Sequence, residues 1–258
     1  MGKIEDWVVA TTVDVNGHTV ATLKPDATKL SGAIDELATA LPSHYASKKR
    51  IASILKRLGK SAAAAYVQNK LPTGSRIRSG DLAEILASRY VEESTDFPAG
   101  ISKLRWKDHR EMAMRGDDLI GLQPVDGPEK IRFLKGEVKS RAKLTTSAVT
   151  DARKALTAFQ QKPSPHALEF IADRLHEDGE DELGNLIDDA LLVDGIALKQ
   201  VSHLIFTFSG NNPSAILAKN LAAYMGKVPQ SAVGLRVDGH QDFIASVFKK
   251  VGEHADGE

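Results

Sequence analysis

Residues 115–143, RGDDLIGLQPVDGPEKIRFLKGEVKSRAK, read as two β-strands joined by a turn. Side chains alternate across a strand, so residues two apart share a face. In the second strand Phe133, Lys135, Glu137, Lys139 and Arg141 fall on one face, and Leu134, Gly136, Val138 and Ser140 on the other. One face is apolar and small, fit to pack against a helix, and the other carries charge in its middle. A solvated face of an antiparallel sheet commonly alternates this way, and for a lone Glu-x-Lys that is the ordinary explanation. The first strand adds a second acid. Asp118 stands at its start, after Gly116 and before Leu119 and Ile120, so a hairpin can bring Asp118 and Glu137 to one edge with Lys139 beside them.

Two oxygen ligands from separate strands are the minimal protein share of a Mg²⁺ site, which keeps several waters and also takes substrate phosphate. A lysine beside such a metal can orient water or stabilise charge developing on phosphorus, while the metal makes water a better nucleophile. That combination suits phosphodiester hydrolysis.

Upstream, WVVATTVDVNGHTVATLK (7–24) predicts a hairpin around Asn16-Gly17, a dipeptide suited to positive φ. Two Ala- and Leu-rich helical stretches follow, separated at Pro42-Ser43, with Ser43 a candidate N-cap. Residues 71–81 read as a loop and DLAEILASRYVEE as a further helix, and SKLRWK (102–107) as a strand before the two already described. Downstream, helices alternate with two strands, QVSHLIFTFSG and SAVGLRVDG, and the polar tail EHADGE reads as frayed. The order predicts a mixed α/β protein, with a hairpin and helical region over 1–70 and a core over 71–258.

The 258 residues are 42% hydrophobic and 26% charged, an ordinary soluble composition. Cysteine is absent, which excludes disulfides, thiolate zinc sites and a thiol nucleophile, and makes the cytoplasm the expected location. The start MGKIEDWVVATT is neither a signal peptide nor a myristoylation site, and no apolar run reaches membrane-spanning length. Basic and acidic residues balance at 34 each, which argues against strong autonomous binding to nucleic acid. SKKRIASILKRLGK reads as a core-facing helix with a basic solvated face, or alternatively as a phosphate-tracking or partner-docking surface, and Arg76 and Arg78 are candidates for gripping backbone phosphate. Gly59-Lys60-Ser61 lacks the first glycine and preceding strand of a P-loop. The eight histidines, His109 among them, show no zinc spacing, and HEDGEDELGNLIDD lacks an EF-hand register.

GDLAE (80–84), GDDLIG (116–121) and FLKGEVKSR (133–141) together resemble the PD-(D/E)xK nuclease superfamily: an acid on the first core helix, G-x-D at the second strand and E-x-K in the third. TTSAVTDARKAL stands where that fold has its second core helix. More narrowly, LPTGSRIRSGDLAEILASRYV, RWKDHREMAMRGDDLIGL and GEVKSRAKL resemble the HamA family of the Hachiman anti-phage system, over most of the chain from about residue 43. The resemblance implies a restriction-endonuclease-like core whose central mixed sheet is flanked by helices. It implies metal ligation by Asp118, Glu137 and the Val138 carbonyl, with Lys139 as catalytic lysine. Glu84 matches the helix acid that contacts a metal or its water. The hydrophobic-Pro-Asp signature appears here as Gly-Asp-Asp, so Asp117 competes with Asp118. Asp118 is preferred because it is the Asp of G-x-D followed by two apolar residues. On a helical wheel Glu84 projects opposite Leu82, away from the stripe of Leu82, Ile85, Leu86 and Tyr90, so only the resemblance turns it toward a site.

The activity so implied is Mg²⁺-dependent DNA cleavage, Mn²⁺ substituting, by an effector held in check by a HamB-like helicase. Balanced charge suits a nuclease that relies on a helicase to deliver DNA. A basic stripe leading into the site would count against that rationale. The alternatives are a stand-alone nuclease of the superfamily, for repair or junction resolution, and a catalytically silent helicase-binding module.

Overall fold

Asn16 and Gly17 take positive φ, 55° and 77°, and close the expected hairpin of β1 (Val8–Val15) and β2 (His18–Pro25). The computed structural model describes residues 3–98, 101–114 and 116–256, so Arg115 and the last two residues of the polar tail lie outside it. The second hairpin pairs β3 (Leu119–Pro124) antiparallel with β4 (Ile131–Arg141), Leu119 opposite Gly136. With β5 (Val201–Ser209) and β6 (Gln230–Arg236) these strands form one six-stranded sheet in the order β1-β2-β6-β5-β4-β3. The four inner strands are mutually parallel and each edge strand is antiparallel to its neighbour. The fold is mixed α/β, as expected.

Parallel neighbours need long crossovers. Between β4 and β5 run α5 (Thr146–Thr157), α6 (Pro165–Asp178) and α7 (Asp181–Asp189), and between β5 and β6 runs α8 (Ser214–Ala222). Thr145 caps α5 by accepting from Ala148 N, and Ser164 caps α6 with Pro165 in its first turn. Helices cover both faces of the sheet, so β5 is a nearly continuous apolar run rather than an alternating one. Leu204, Phe206 and Phe208 pack with α1 (Leu30–Tyr45), α4 (Ser75–Ser94) and α9 (His240–Asp256), while Ile205 packs with α5 and α8 on the other face. Ile120, Leu122, Ile131 and Phe133 pack with α6 and α7.

Several expectations are corrected. SKLRWK is not a strand: Lys103–Trp106 is a short 3-10 helix, and Lys103 and the following Lys107 turn to acids on α4. The loop expected over 71–81 ends at Gly74, because α4 begins at Ser75 and takes in Arg76, Arg78 and Asp81. α1 continues through Pro42 to Tyr45, at the expense of the bond that an N–H at position 42 would make to the Ala38 carbonyl. Ser43 therefore caps nothing and donates to Ala40 O, and Ser47 caps the next helix, α2 (Lys48–Leu58). α2 has no fully buried residue, but Ile51 packs against the main core cluster while its basic residues face solvent. Gly59, at φ 83°, separates it from α3 (Lys60–Lys70). α9 carries the polar tail to Asp256 rather than leaving it frayed. Among the described residues no helix is long and apolar enough to cross a membrane.

Candidate active site

The site is assembled where α4 crosses the open end of the β3–β4 hairpin. Leu82, Leu86, Ala83, Ala87 and Val91 are buried, anchoring α4 in the cluster that contains Leu134 and Val138 of β4. This packing needs Gly136: a Cβ there would meet Leu119 Cβ and Cδ2 at 3.0 Å. Gly116, at φ 89°, turns the chain into Asp117-Asp118 immediately before β3.

Asp118 lies just outside the strand rather than within it. Its Oδ2 accepts from Val138 N at 2.9 Å and stands 4.0 Å from Lys139 Nζ. Lys139 also pairs with Glu137 Oε1. Within a strand a residue's N–H and C=O point to the same side. The Val138 carbonyl therefore faces the β3 side too, beyond the last β3 pairing at Leu119. Glu137, Val138, Lys139 and Asp118 thus share one edge, as the sequence suggested.

Glu84 is turned inward, contrary to its helical-wheel position. Its Oε2 is buried, 3.2 Å from Lys103 Nζ, and completes no well-directed hydrogen bond. Burial raises its pKa above the ordinary carboxylate range, Lys103 pulls it back, and Asp118 and Asp81 raise it further. Glu137 is raised as well, by burial first and then by Asp118, against the opposing pull of Lys139. Acids that repel one another in this way accommodate a cation. Asp117 faces elsewhere: its Oδ1 lies 3.4 Å from Lys135 Nζ and its Oδ2 accepts from Ser164 N at 2.7 Å.

Sequence reading missed a second layer. Lys103 and Lys107, four apart, meet Glu84 and Asp81, three apart on α4, with Lys107 Nζ 2.7 Å from Asp81 Oδ2. Tyr45 OH donates to the same Asp81 at 2.7 Å. The spacing of the two lysines was the available signal, hidden by reading 102–107 as a strand. Ser140 Oγ joins Ser79 Oγ at 2.8 Å and His240 Nε2 at 2.9 Å, a contact no local pattern announces. His109 stays in its loop, where its Nδ1 accepts from Glu111 N.

A cleft of about 470 Å³ opens over the site, lined by Arg76, Glu84, Asp118, Lys139, Arg141 and Gln241. A neighbouring cavity of about 820 Å³ shares Glu84 and Asp118 and extends to Trp106 and Phe170. Among the described residues no three Asp, Glu or His side chains are arranged as a ready metal cage. The donors nonetheless fit a hard divalent cation: carboxylates of Asp118 and Glu137, the Val138 carbonyl, and a third acid, Glu84, with an oxygen that lacks a hydrogen bond.

Fold and site together define a mixed α/β protein that carries an acid–lysine cluster at the mouth of its β3–β4 hairpin. The chain belongs to the HamA family, whose model matches residues 3–251, so the relationship takes in the N-terminal hairpin as well. It is 28% identical over 234 residues to the Hachiman protein HamA of Bacillus cereus, covering 88% of this chain and 82% of that one.

Proposed function

We propose that this HamA-family chain is the nuclease component of a Hachiman antiviral defence complex, cleaving DNA phosphodiesters and gated by a HamB-like helicase. One observation carries the catalytic part: Asp118, Glu137 and Lys139 converge on one edge, with the half-buried Glu84 beside Asp118. Asp118, Glu137 and the Val138 carbonyl would hold Mg²⁺, or Mn²⁺ in its place, with Glu84 supporting the metal or its water. Such a metal supplies an activated water and neutralises charge on the phosphate. The remaining work falls to the chain itself. The Lys139 ammonium, between two acids, orients the attacking water or stabilises charge growing on the phosphoryl oxygens. The Val138 N–H fixes the Asp118 carboxylate. Arg76 and Arg141 on the cleft rim suit the flanking phosphates.

The test follows plasmid integrity with the purified chain and Mg²⁺, with and without its co-purified helicase and ATP, beside Glu137→Ala and Lys139→Ala. Cutting that disappears in both variants supports the site, and a requirement for helicase supports gating. Equal behaviour of wild type and variants in every condition removes the catalytic reading. A nuclease that acts alone is the second reading. It is favoured by the concentration of basic charge on α2, α3 and the start of α4, because net neutrality then ceases to argue for delivery by a helicase.

A further inference from the structure

Nine of the 34 basic residues, and none of the 34 acidic ones, fall between Leu37 and Gly80. The neutral chain is therefore strongly polarised. Lys48, Lys49, Arg50, Lys56, Arg57, Lys60 and Arg76 are exposed. Among the described residues none of the nine forms an ion pair. On α2 the spacing i, i+1, i+7, i+8 puts Lys49, Arg50, Lys56 and Arg57 together, opposite Ile51 and Leu55.

Two grooves continue from this surface. One, of about 860 Å³, is lined by Lys49, Arg50 and Arg57 and reaches Tyr66 and Asn69. The other, of about 570 Å³, begins at the same Tyr66 and Asn69 and runs past Lys70 to Arg105 and Arg110. Next in the chain to Arg110, Glu111 holds the start of α4 by accepting from Thr73 N and Gly74 N. Two residues beyond Gly74 stands Arg76, on the rim of the candidate active-site cleft. Through Glu111 the second groove is tied to the stretch of chain that carries Arg76. Tyr66 also supplies an aromatic surface, with the Arg50 guanidinium 5.3 Å from its ring centre, which the sequence pattern did not reveal.

We infer that the α2–α3 surface is a track for the sugar–phosphate backbone of a DNA strand, leading it to the cleft beneath Arg76. This rests on the phosphodiesterase reading. The lysine and arginines of the first groove, without acidic partners among the described residues, suit a polyanion, which supplies a phosphate at each nucleotide. Ile54 and Leu58 line the first groove beside Lys49, Arg50 and Arg57, an apolar floor on which sugars can rest between phosphate contacts; the centre of a protein-docking surface is instead depleted of lysine.

The test is equilibrium binding of a labelled DNA oligonucleotide by the full chain in EDTA, over a salt series. The K49Q/R50Q/K56Q/R57Q variant should lose at least about tenfold in affinity at low salt. Its plot of log affinity against log salt should be shallower by roughly 2–4. A K49R/K56R variant should bind as wild type, and an unchanged urea midpoint in both shows that the fold is intact. Equal affinity in wild type and the quadruple variant overturns the inference, as does a wild type that binds no DNA. Retained DNA affinity with loss of a co-purified protein also overturns it, since the surface is then a protein dock. If the quadruple variant alone loses binding while no form of the chain ever cuts, the track stands and the phosphodiesterase reading falls.

Discussion

Asp117 and Asp118 are neighbours in the chain, yet their carboxylates serve different partners. Asp117 is the counter-charge of Lys135, which is 1% exposed and also donates to the carbonyls of Ala158 and Lys162. Removing one partner of a buried pair strands the other, at about 3–5 kcal/mol. Asp117→Ala should therefore lower the urea midpoint sharply. Asp118→Ala, at a partly open edge, should leave the midpoint nearly unchanged while abolishing plasmid cutting. His203 offers a second prediction at this scale. Its Nδ1 accepts from Gln230 Nε2 and its Nε2 donates to Gln161 O, so the folded chain holds it neutral, and burial lowers its pKa to about 4. The unfolded chain takes up the proton first as pH falls. The stabilising effect is therefore complete above about 6.5 and is lost as pH falls toward 4, with a ceiling of about 3 kcal/mol. Urea midpoints measured across that window should decline, and less steeply in His203→Asn, which starts weaker at neutral pH.

At the scale of elements, the β3–β4 hairpin depends on close contact at Gly136. Gly136→Ala would press a Cβ against Leu119, and overpacking of this kind costs about 1–3 kcal/mol. Because Asp118 immediately precedes Leu119, the same substitution should also reduce cutting. An unchanged urea midpoint with full activity would show that the hairpin yields. Much of this level was legible. The alternation in β4 and the Asn16-Gly17 turn are local signals, and each appears as read. What escaped was set by distant partners. Lys103 within the 3-10 turn and Lys107 just after it find Glu84 and Asp81 across the fold, and a single-segment pattern cannot register that attraction. Glu84 points inward for a related reason: Lys103 and the open strand end give its carboxylate somewhere to go.

For the whole molecule, the question is whether residues 71–258 stand as a folding unit. Several interactions cross residue 70. β2 pairs with β6, so without the hairpin an inner strand would become a bare edge with unpaired N–H and C=O groups. Ile4, Trp7, Leu37, Leu41 and Tyr45 share one buried cluster with Leu82, Leu86, Phe208, Phe243 and Phe248. Trp7 stacks on Phe243 at 6.3 Å between ring centres, and Tyr45 OH holds the buried Asp81. A fragment of 71–258 would expose the apolar faces of α4 and α9 together and leave Asp81 short of one partner. Contiguous exposed apolar surface of that kind drives aggregation or loose packing. The full chain should accordingly unfold in one cooperative urea transition, and the fragment should show weak near-UV dichroism, dye binding and no sharp transition. A fragment that unfolded cooperatively with native-like near-UV dichroism would instead make the N-terminal region a separable attachment. The basic track along α2 and α3 would then be a module joined to the cleft only through the start of α4, rather than part of one continuous surface.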